Sequence, residues 1–308
     1  MSEPSGAANG RLGIEISAAT LNAAAVDERG LVIETYSVPI TDAANVVGQI
    51  ADLVAGMVAR HGAFAGLGIA VPGLVDRASG RVAYSANIPE HTNIDLAAEI
   101  RGATGFDVFV ENDANAAAYG EYRAGAGRGS QNMFYATLGD GVGGAFIFNG
   151  EIWRGASGYA GEFGYVTINS EGMRLEEVAS AASILRRTRS RFHQDSTSSL
   201  NKLGEEGIRL TDIIAAAEKE DDFAQMMLAR TGSSVGVAMA SVINLLNIEK
   251  IVIGGAIMEA KHVVLNAIIE RAKEFAFKPA FDSTSIVEGE LGSSAAAIGA
   301  AYLGSQAA

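Results

Sequence analysis

The sequence predicts an α/β protein in which one domain plan is used twice, with a cleft between the halves. Three observations predict it. Strand-like and helix-like segments alternate along the chain. The order of the first forty residues (strand, small-residue loop, strand, tight turn) returns in outline from Met133 to Trp153. Hydrophobic residues make up 48% of the 308 positions and charged residues 19%, a balance that suits a packed core and not a disordered chain.

The elements follow in order. Residues 1–11, opening MSEPSGAANG, are small and polar and read as a flexible tail. Leu12-Gly-Ile-Glu-Ile16 alternates and predicts the first strand. Ser17 to Thr20 is a small-residue loop, Leu21 to Val26 a second strand, Asp27 to Gly30 a turn, and Leu31 to Ile33 a third strand. Across 44–60, Val46, Val47, Ile50, Leu53, Val54, Met57 and Val58 recur at helical spacing. Leu67 to Val71 is a buried strand stopped by Pro72-Gly73. Leu96 to Ile100 falls in a short helix, Val108 to Val110 in a strand, and a helix runs from Asn112 to near Arg123.

The pattern then restarts. Met133 to Leu138 is a strand, Gly139 to Gly144 a glycine-rich turn, and Ala145 to Phe148 a strand. Asn149-Gly150 is a hairpin turn, with Glu151 to Trp153 beyond it. From Leu175 the chain is mostly helical. Arg191 to Gly207 is a polar, Ser-rich loop, and Phe223 to Leu246 a long apolar helix or helix pair. Lys250 to Ile253 is a strand running into Gly254-Gly255. Residues 262–276 form an amphipathic helix, Ser285 to Val287 a short strand, and Ser293 to Leu303 an Ala-rich closing helix.

Composition removes whole classes of function. The chain has no cysteine, which excludes disulfide scaffolds, Cys-ligated metal sites and thiol nucleophiles. A net charge of −13, from 23 basic and 36 acidic residues, argues against direct nucleic-acid binding or an anionic membrane surface. No uninterrupted apolar run reaches the roughly 20 residues of a membrane span. Met1 to Asn9 lacks the basic-then-apolar order of a signal peptide, so a cytoplasmic location is expected.

Three segments carry chemistry. Glu111-Asn-Asp-Ala-Asn115 follows an apolar strand and places Asp113 at its C-terminal end, where α/β sheets line a ligand crevice. An Asp there can accept the proton of a substrate hydroxyl. Alone, Asn112 or Asp113 also reads as a helix cap. In Leu138-Gly-Asp-Gly-Val-Gly-Gly144 the glycines let backbone N–H groups approach a ligand, or merely permit a hairpin. In Gly158-Tyr-Ala-Gly-Glu-Phe-Gly-Tyr165 a carboxylate and a tyrosine could grip a polyol, or Glu162 is an ordinary hydrated side chain.

Taken together and in this order, these segments resemble the ROK family of sugar kinases and related repressors. The resemblance runs from Leu12 nearly to the C-terminus. It includes Gly68-Ile-Ala-Val-Pro-Gly73, Asn87-Ile-Pro89, Glu111 to Ala117, Ala160-Gly-Glu-Phe-Gly164, Ile251-Val-Ile-Gly-Gly255 and Ala295-Ala-Ala-Ile-Gly-Ala300. It implies an actin-like (ribonuclease H-like) duplicated two-lobe fold with a central cleft. The first lobe would span 12–117, completed by the C-terminal helix over 293–308, and the second 118–292. It also implies phosphoryl transfer from ATP to a hexose or amino-sugar hydroxyl, with Asp113 as base. Asn87, Asn112, Asp113, Glu162, Tyr165 and Glu176 match sugar-binding positions. Glu15, Gly139, Asp140, Gly141, Gly254 and Gly255 match nucleotide-binding positions. Glu15 is the position for Mg²⁺, and a homodimer is expected.

The chain departs from the family pattern at three places. The first phosphate loop of the family reads Asp-x-Gly-Gly-Thr, and here it is Glu15-Ile-Ser-Ala-Ala19. Added Cβ atoms at Ser17 and Ala18 restrict the dihedrals and crowd a phosphate. The second loop, Gly-Thr-Gly in the family, is Gly139-Asp140-Gly141. Two unit charges about 4 Å apart repel by about 4 kcal/mol at an effective dielectric of about 20, so Asp140 needs a cation nearby or helps to hold one. Finally, Tyr165 stands where many members have a zinc-binding histidine, and Val166 to Leu175 contains neither Cys nor His, so no zinc is expected.

The pattern leaves two functions open. One is an ATP-dependent carbohydrate kinase, a phosphotransferase with an alcohol acceptor, using ATP and Mg²⁺. The other is a catalytically weak or inactive sugar-binding regulator or sensor. The eleven residues before Leu12 are too few for a helix-turn-helix, so such a regulator would lack its own DNA-binding domain.

Overall fold

The computed structural model describes residues 10–76, 81–84 and 94–304. Asn87, the rest of the 87–89 motif and the tail residues 1–9 lie outside the described residues. The chain divides into two compact units. Unit 1 holds the chain up to Gly129, Gly150–Ala160 and Leu291 onward; unit 2 holds Ser130–Asn149 and Gly161–Glu290.

Unit 1 is built on a mixed sheet. Strands β1 (Gly10–Ile16), β2 (Thr20–Val26), β3 (Val32–Pro39), β4 (Phe64–Val71) and β7 (Val108–Asn112) lie in the order β3-β2-β1-β4-β7. The β1–β2 and β2–β3 pairs are antiparallel, and β1–β4 and β4–β7 are parallel. Strand β3 runs well past the Leu31–Ile33 segment that its apolar residues mark. Its Glu-Thr-Tyr-Ser stretch is polar, but pairing with β2 continues to Thr20↔Pro39, so the backbone ladder and not the side chains sets its length. Strands β5 (Leu74–Asp76) and β6 (Arg81–Tyr84), too short to show a sequence period, form a small hairpin.

Helices α1 (Val46–His61) and α2 (Leu96–Thr104) bury Ile50, Leu53, Val54, Met57, Leu96 and Ile100 in one core with β1, β2, β4 and β7. Asn45 and Asp95 cap them, accepting from the N–H groups of Gly48 and Ala98. Helix α3 (Asp113–Ala124) runs unbroken through position 117, so the whole helix belongs to unit 1. The closing helix α10 (Ala295–Leu303) is buried on every side, as its lack of any polar face requires. It packs on α3, β1 and β4 through small residues; a Cβ on Gly68 would collide with the carbonyl of Ala300.

Unit 2 repeats the plan. Strands β8 (Met133–Leu138), β9 (Val142–Phe148), β11 (Lys250–Gly254) and β12 (Ser285–Glu288) lie in the order β9-β8-β11-β12. The antiparallel β8–β9 pair and the parallel β8–β11 and β11–β12 pairs are the counterparts of β1–β2, β1–β4 and β4–β7. Strand β9 starts at Val142 and not at Ala145. Gly143 and Gly144 pair with Thr137 and Ala136, which shortens the glycine-rich turn to Gly139–Gly141. The Asn149-Gly150 turn has positive φ at both residues (52° and 83°), and β10 (Glu151–Trp153) follows it.

Helices α4 (Glu176–Ala179), α5 (Ala181–Arg189), α6 (Leu210–Glu218), α7 (Asp222–Leu246), α8 (His262–Phe275) and α9 (Lys278–Asp282) complete unit 2. Residues 222–246 form a single helix, capped by Asp221 and ended by Asn247 at φ 47°. By length and composition α7 could cross a membrane, but just over half of its most apolar stretch is buried within the protein, against α8 and its neighbours.

Candidate functional site

The candidate residues fall into two sets, one on each unit. On unit 1, Glu15 comes from β1, and Asn112 and Asp113 from the junction of β7 and α3. The parallel ladder β1-β4-β7 pairs Glu15 with Ala70 and Ala70 with Glu111, so the C-terminal ends of these strands are level. That is the edge where open α/β sheets bind ligands.

Asn112 fills both roles that its position allows. Its Oδ1 accepts from Asn115 N–H at 3.0 Å and caps α3. Its Nδ2 donates to Asp113 Oδ1 at 2.9 Å and to the Gly73 carbonyl at 3.0 Å. Asp113 Oδ1 also accepts from Ala114 N–H at 2.9 Å. Two donors on one oxygen fix the direction of the carboxylate, which a general base requires.

Glu15 is partly buried and takes one hydrogen bond from Asn22 Nδ2 at 2.9 Å. Asn22 in turn accepts from Ser37 Oγ at 2.7 Å, so Glu15, Asn22 and Ser37 form a row across β1, β2 and β3. Burial pushes the Glu15 pKa up to about 7, and the charge of Asp113 adds to the effect against the Asn22 hydrogen bond. Carboxylate oxygens beside a second negative charge suit a hard divalent cation, and the donor type fits Mg²⁺.

Glu111 and Arg154 carry weight that the sequence did not reveal. Glu111 is only 5% exposed. Its Oε1 accepts from Asn112 N–H at 2.9 Å and Asn115 Nδ2 at 3.0 Å. Its Oε2 accepts from Arg154 Nε at 3.1 Å and also pairs with Arg154 Nη2. The only sequence signal was that Glu111 begins the Glu-Asn-Asp-Ala-Asn motif; nothing local names its partner 43 residues on.

On unit 2, Glu162 and Glu176 are brought together. Gly161, at φ 101°, lies so close to β9 that a Cβ would strike the Gly144 carbonyl. Phe163 then packs edge-on against Phe134 at 5.0 Å between ring centres. These contacts hold the 161–165 turn against the strand. Glu162 is exposed as a residue, yet packing around its carboxyl raises its pKa, and the Glu176 charge raises it further. Glu176 accepts from Val142 N–H at 3.0 Å, just past the Gly139–Gly141 turn. A Cβ on Gly141 would sit 3.0 Å from that same carboxylate.

Within the turn, Gly139 N–H donates to the Gly141 carbonyl at 2.9 Å, and the Gly139 carbonyl accepts from Ala181 N–H at 2.8 Å. Asp140 is exposed at its tip. Gly254 ends β11 against the Tyr135 side chain, and Gly255, at φ 93°, lies against the backbone of Leu138. The structure therefore groups Gly139, Gly141, Glu162, Glu176 and Gly255 around β8 and β9.

A model of the ROK family matches residues 11–307. The chain belongs to the ROK family. It is 31% identical to a glucokinase of Halalkalibacterium halodurans over 95% of this chain and 94% of that one. The crystal structure of a ROK family glucokinase from Streptomyces griseus, in complex with glucose and AMPPNP, superposes with a TM-score of 0.84 at 28% identity, covering 96% and 99% of the two chains. A ROK family transcriptional regulator, a homologue of the E. coli MLC protein, superposes with a TM-score of 0.85 at 29% identity, covering 97% of this chain and 78% of that one. The fold is thus the α/β, actin-like two-lobe fold of ROK proteins.

Against that family, the first loop is altered in an instructive way. Ser17 N–H donates to the Thr20 carbonyl at 2.9 Å, and Thr20 N–H to Ser17 Oγ at 3.0 Å. Neither Ser17, Ala18 nor Ala19 has positive φ. The dihedral cost expected from losing both glycines does not arise, because this turn is not one that needs glycine. The ROK segment 166–175 is here a small hairpin, closed by Leu175 N–H to Val166 O and Ile168 N–H to Met173 O, both at 2.9 Å. Tyr165 is 60% exposed, and the Arg174 guanidinium stacks on it at 4.5 Å from the ring centre.

Proposed function

We propose that this ROK protein is an ATP-dependent sugar kinase acting on a hexose or amino-sugar hydroxyl, with glucose the first acceptor to test. The observation that carries the proposal is the fixed carboxylate of Asp113, at the end of β7 and beside Glu15. Asp113 accepts the proton of the attacking hydroxyl as its oxygen bonds to the γ-phosphorus of ATP and the bond to ADP breaks. Asn112 Oδ1 and the carboxylates of Glu162 and Glu176 accept hydrogen bonds from the other sugar hydroxyls, together with Asn87, and Tyr165 offers an aromatic face to the ring. The turns at Ser17–Ala19 and Gly139–Gly141, with Gly254 and Gly255, receive the nucleotide. Mg²⁺, when bound, neutralises phosphate charge, and Glu15 would hold it. The similarity to glucokinases along nearly the whole chain supports this assignment.

The test is sugar-dependent ADP release across glucose, mannose and amino-sugar acceptors. Asp113→Asn is expected to lower kcat by about 10²–10⁴-fold with little change in sugar affinity. A second function has its own support. The Ser17 and Thr20 amides are already spent within their turn, Asp140 adds negative charge to the other turn, and a ROK regulator is as similar in fold as the kinase. A sugar-binding regulator would melt at higher temperature with sugar and be indifferent to Mg·ATP. Release of ADP by the wild type, abolished in Asp113→Asn, rules that function out.

A further inference from the structure

Glu111 is a nearly buried carboxylate that takes hydrogen bonds from three directions: Asn112 N–H, Asn115 Nδ2 and the Arg154 guanidinium. An unpaired carboxylate at that depth would be costly, and a single-point cation would not match two nitrogens to one oxygen. The pair sits one residue before Asn112 and two before Asp113. Asn112 hands its own Nδ2 to the Asp113 carboxylate. Any movement of Glu111 is therefore passed along by two successive hydrogen bonds to the Asp113 carboxylate.

Arg154 is tied down on its other side as well. Its Nη1 donates to the Ile152 carbonyl at 3.1 Å, and its own carbonyl accepts from Ala160 N–H at 3.1 Å. That second bond closes the 154–160 loop, whose last residue is two before Glu162. One side chain thus ties the 154–160 loop to the strand end that bears Asp113.

We infer that the Glu111–Arg154 ion pair is a positioning device for the phosphoryl transfer proposed above. It fixes the direction of the Asp113 carboxylate without touching the substrate. The inference rests on the kinase function, but the hydrogen-bond chain can be examined without it.

The experiment compares wild type, Arg154→Met, Arg154→Lys and Glu111→Gln by steady-state kinetics with glucose, melting temperature, and hydrogen exchange at the Asn112 amide. Arg154→Met is expected to lower kcat by about a hundredfold, the scale of a misplacement near 1 Å, with KM for glucose little changed. The Asn112 amide should exchange faster than in wild type. Arg154→Lys, which keeps the charge and loses the fork, should recover part of kcat. Lysine is also the variant to use if Arg154→Met does not fold. A merely structural role would lower the melting temperature while leaving kcat per folded molecule and its pH profile unchanged, and that result overturns the inference. So does unaltered Asn112 protection in folded Arg154→Met or Arg154→Lys. Faster Asn112 exchange in a protein whose wild type releases no ADP would retain the positioning chain and sink the kinase function instead.

Discussion

The turn between β1 and β2 and the turn between β8 and β9 occupy the same place in two copies of one sheet plan, yet only the second is braced by a distant carboxylate. The first is closed mainly by its own groups, with one bond from outside, Ile40 N–H to the Ala19 carbonyl at 2.8 Å. Ser17 supplies the hydroxyl that accepts from Thr20 N–H, its own N–H returns to the Thr20 carbonyl, and no residue needs positive φ. The second is held from outside. Glu176, 34 residues on, accepts from Val142 N–H, and Ala181 N–H reaches back to the Gly139 carbonyl. In the second turn only Gly141 lies against the bracing carboxylate, where a Cβ would come within 3.0 Å of Glu176; Gly139 faces open space and Asp140 carries an exposed side chain. The first loop therefore has no need of glycine, while the second has a steric reason for one at Gly141.

Substitutions at the two turns should differ in their effects. The largest effect is expected at Glu15, at the base of the first turn. Its unfolded-state pKa is the ordinary 4.5 and its folded value about 7, so the folded state holds a proton that the unfolded state has released. Stability should therefore be full below pH 4.5, fall as pH rises through 7, and stay low above it. Glu15→Gln keeps an acceptor for Asn22 and removes this slope. In metal-free buffer it should be more stable than wild type by about 3 kcal/mol at pH 8 and nearly equal at pH 4. Urea melts at the two pH values read this directly, and a variant with the wild-type slope would remove Glu15 as its source.

Gly141→Ala should come next. The new Cβ must push the Glu176 carboxylate away, at a cost of about 1–3 kcal/mol. Sugar affinity should weaken with it, because Glu176 moves. Calorimetric titration with glucose checks the second part; unchanged affinity would show that Glu176 does not contact sugar. The smallest effect belongs to Ser17→Ala, which removes one hydroxyl from a largely exposed turn. About 1 kcal/mol is expected, and a far larger loss would mean that Ser17 does more than close its own turn.

Much of the architecture was legible because its cause is local. Val46 to Val58 repeat at helical spacing and do form α1. Leu67 to Val71 are apolar without interruption and form a strand buried on both faces. Pro72-Gly73 and Asn149-Gly150 mark where the chain turns. The polar half of β3 was not legible, since a strand can be imposed by pairing alone. Nor was the β5–β6 hairpin, whose strands are three and four residues long, too short to show a period. At the candidate site, Asn112, Asp113 and Glu162 stood out through their motifs, whereas Arg154 and Asn22 carried no mark.

By itself, then, the sequence determined the order of strands and helices, the small-residue turns, the acidic balance and the residue types at the strand ends. Those depend on neighbours a few positions away. Only the tertiary structure decided that Arg154 completes Glu111, that Glu176 braces the Gly139–Gly141 turn, and that Glu15 and Asp113 feel each other's charge. Each of these joins residues 34 to 98 positions apart. Their energies arise from burial and distance, which a list of residues does not contain until the chain has folded.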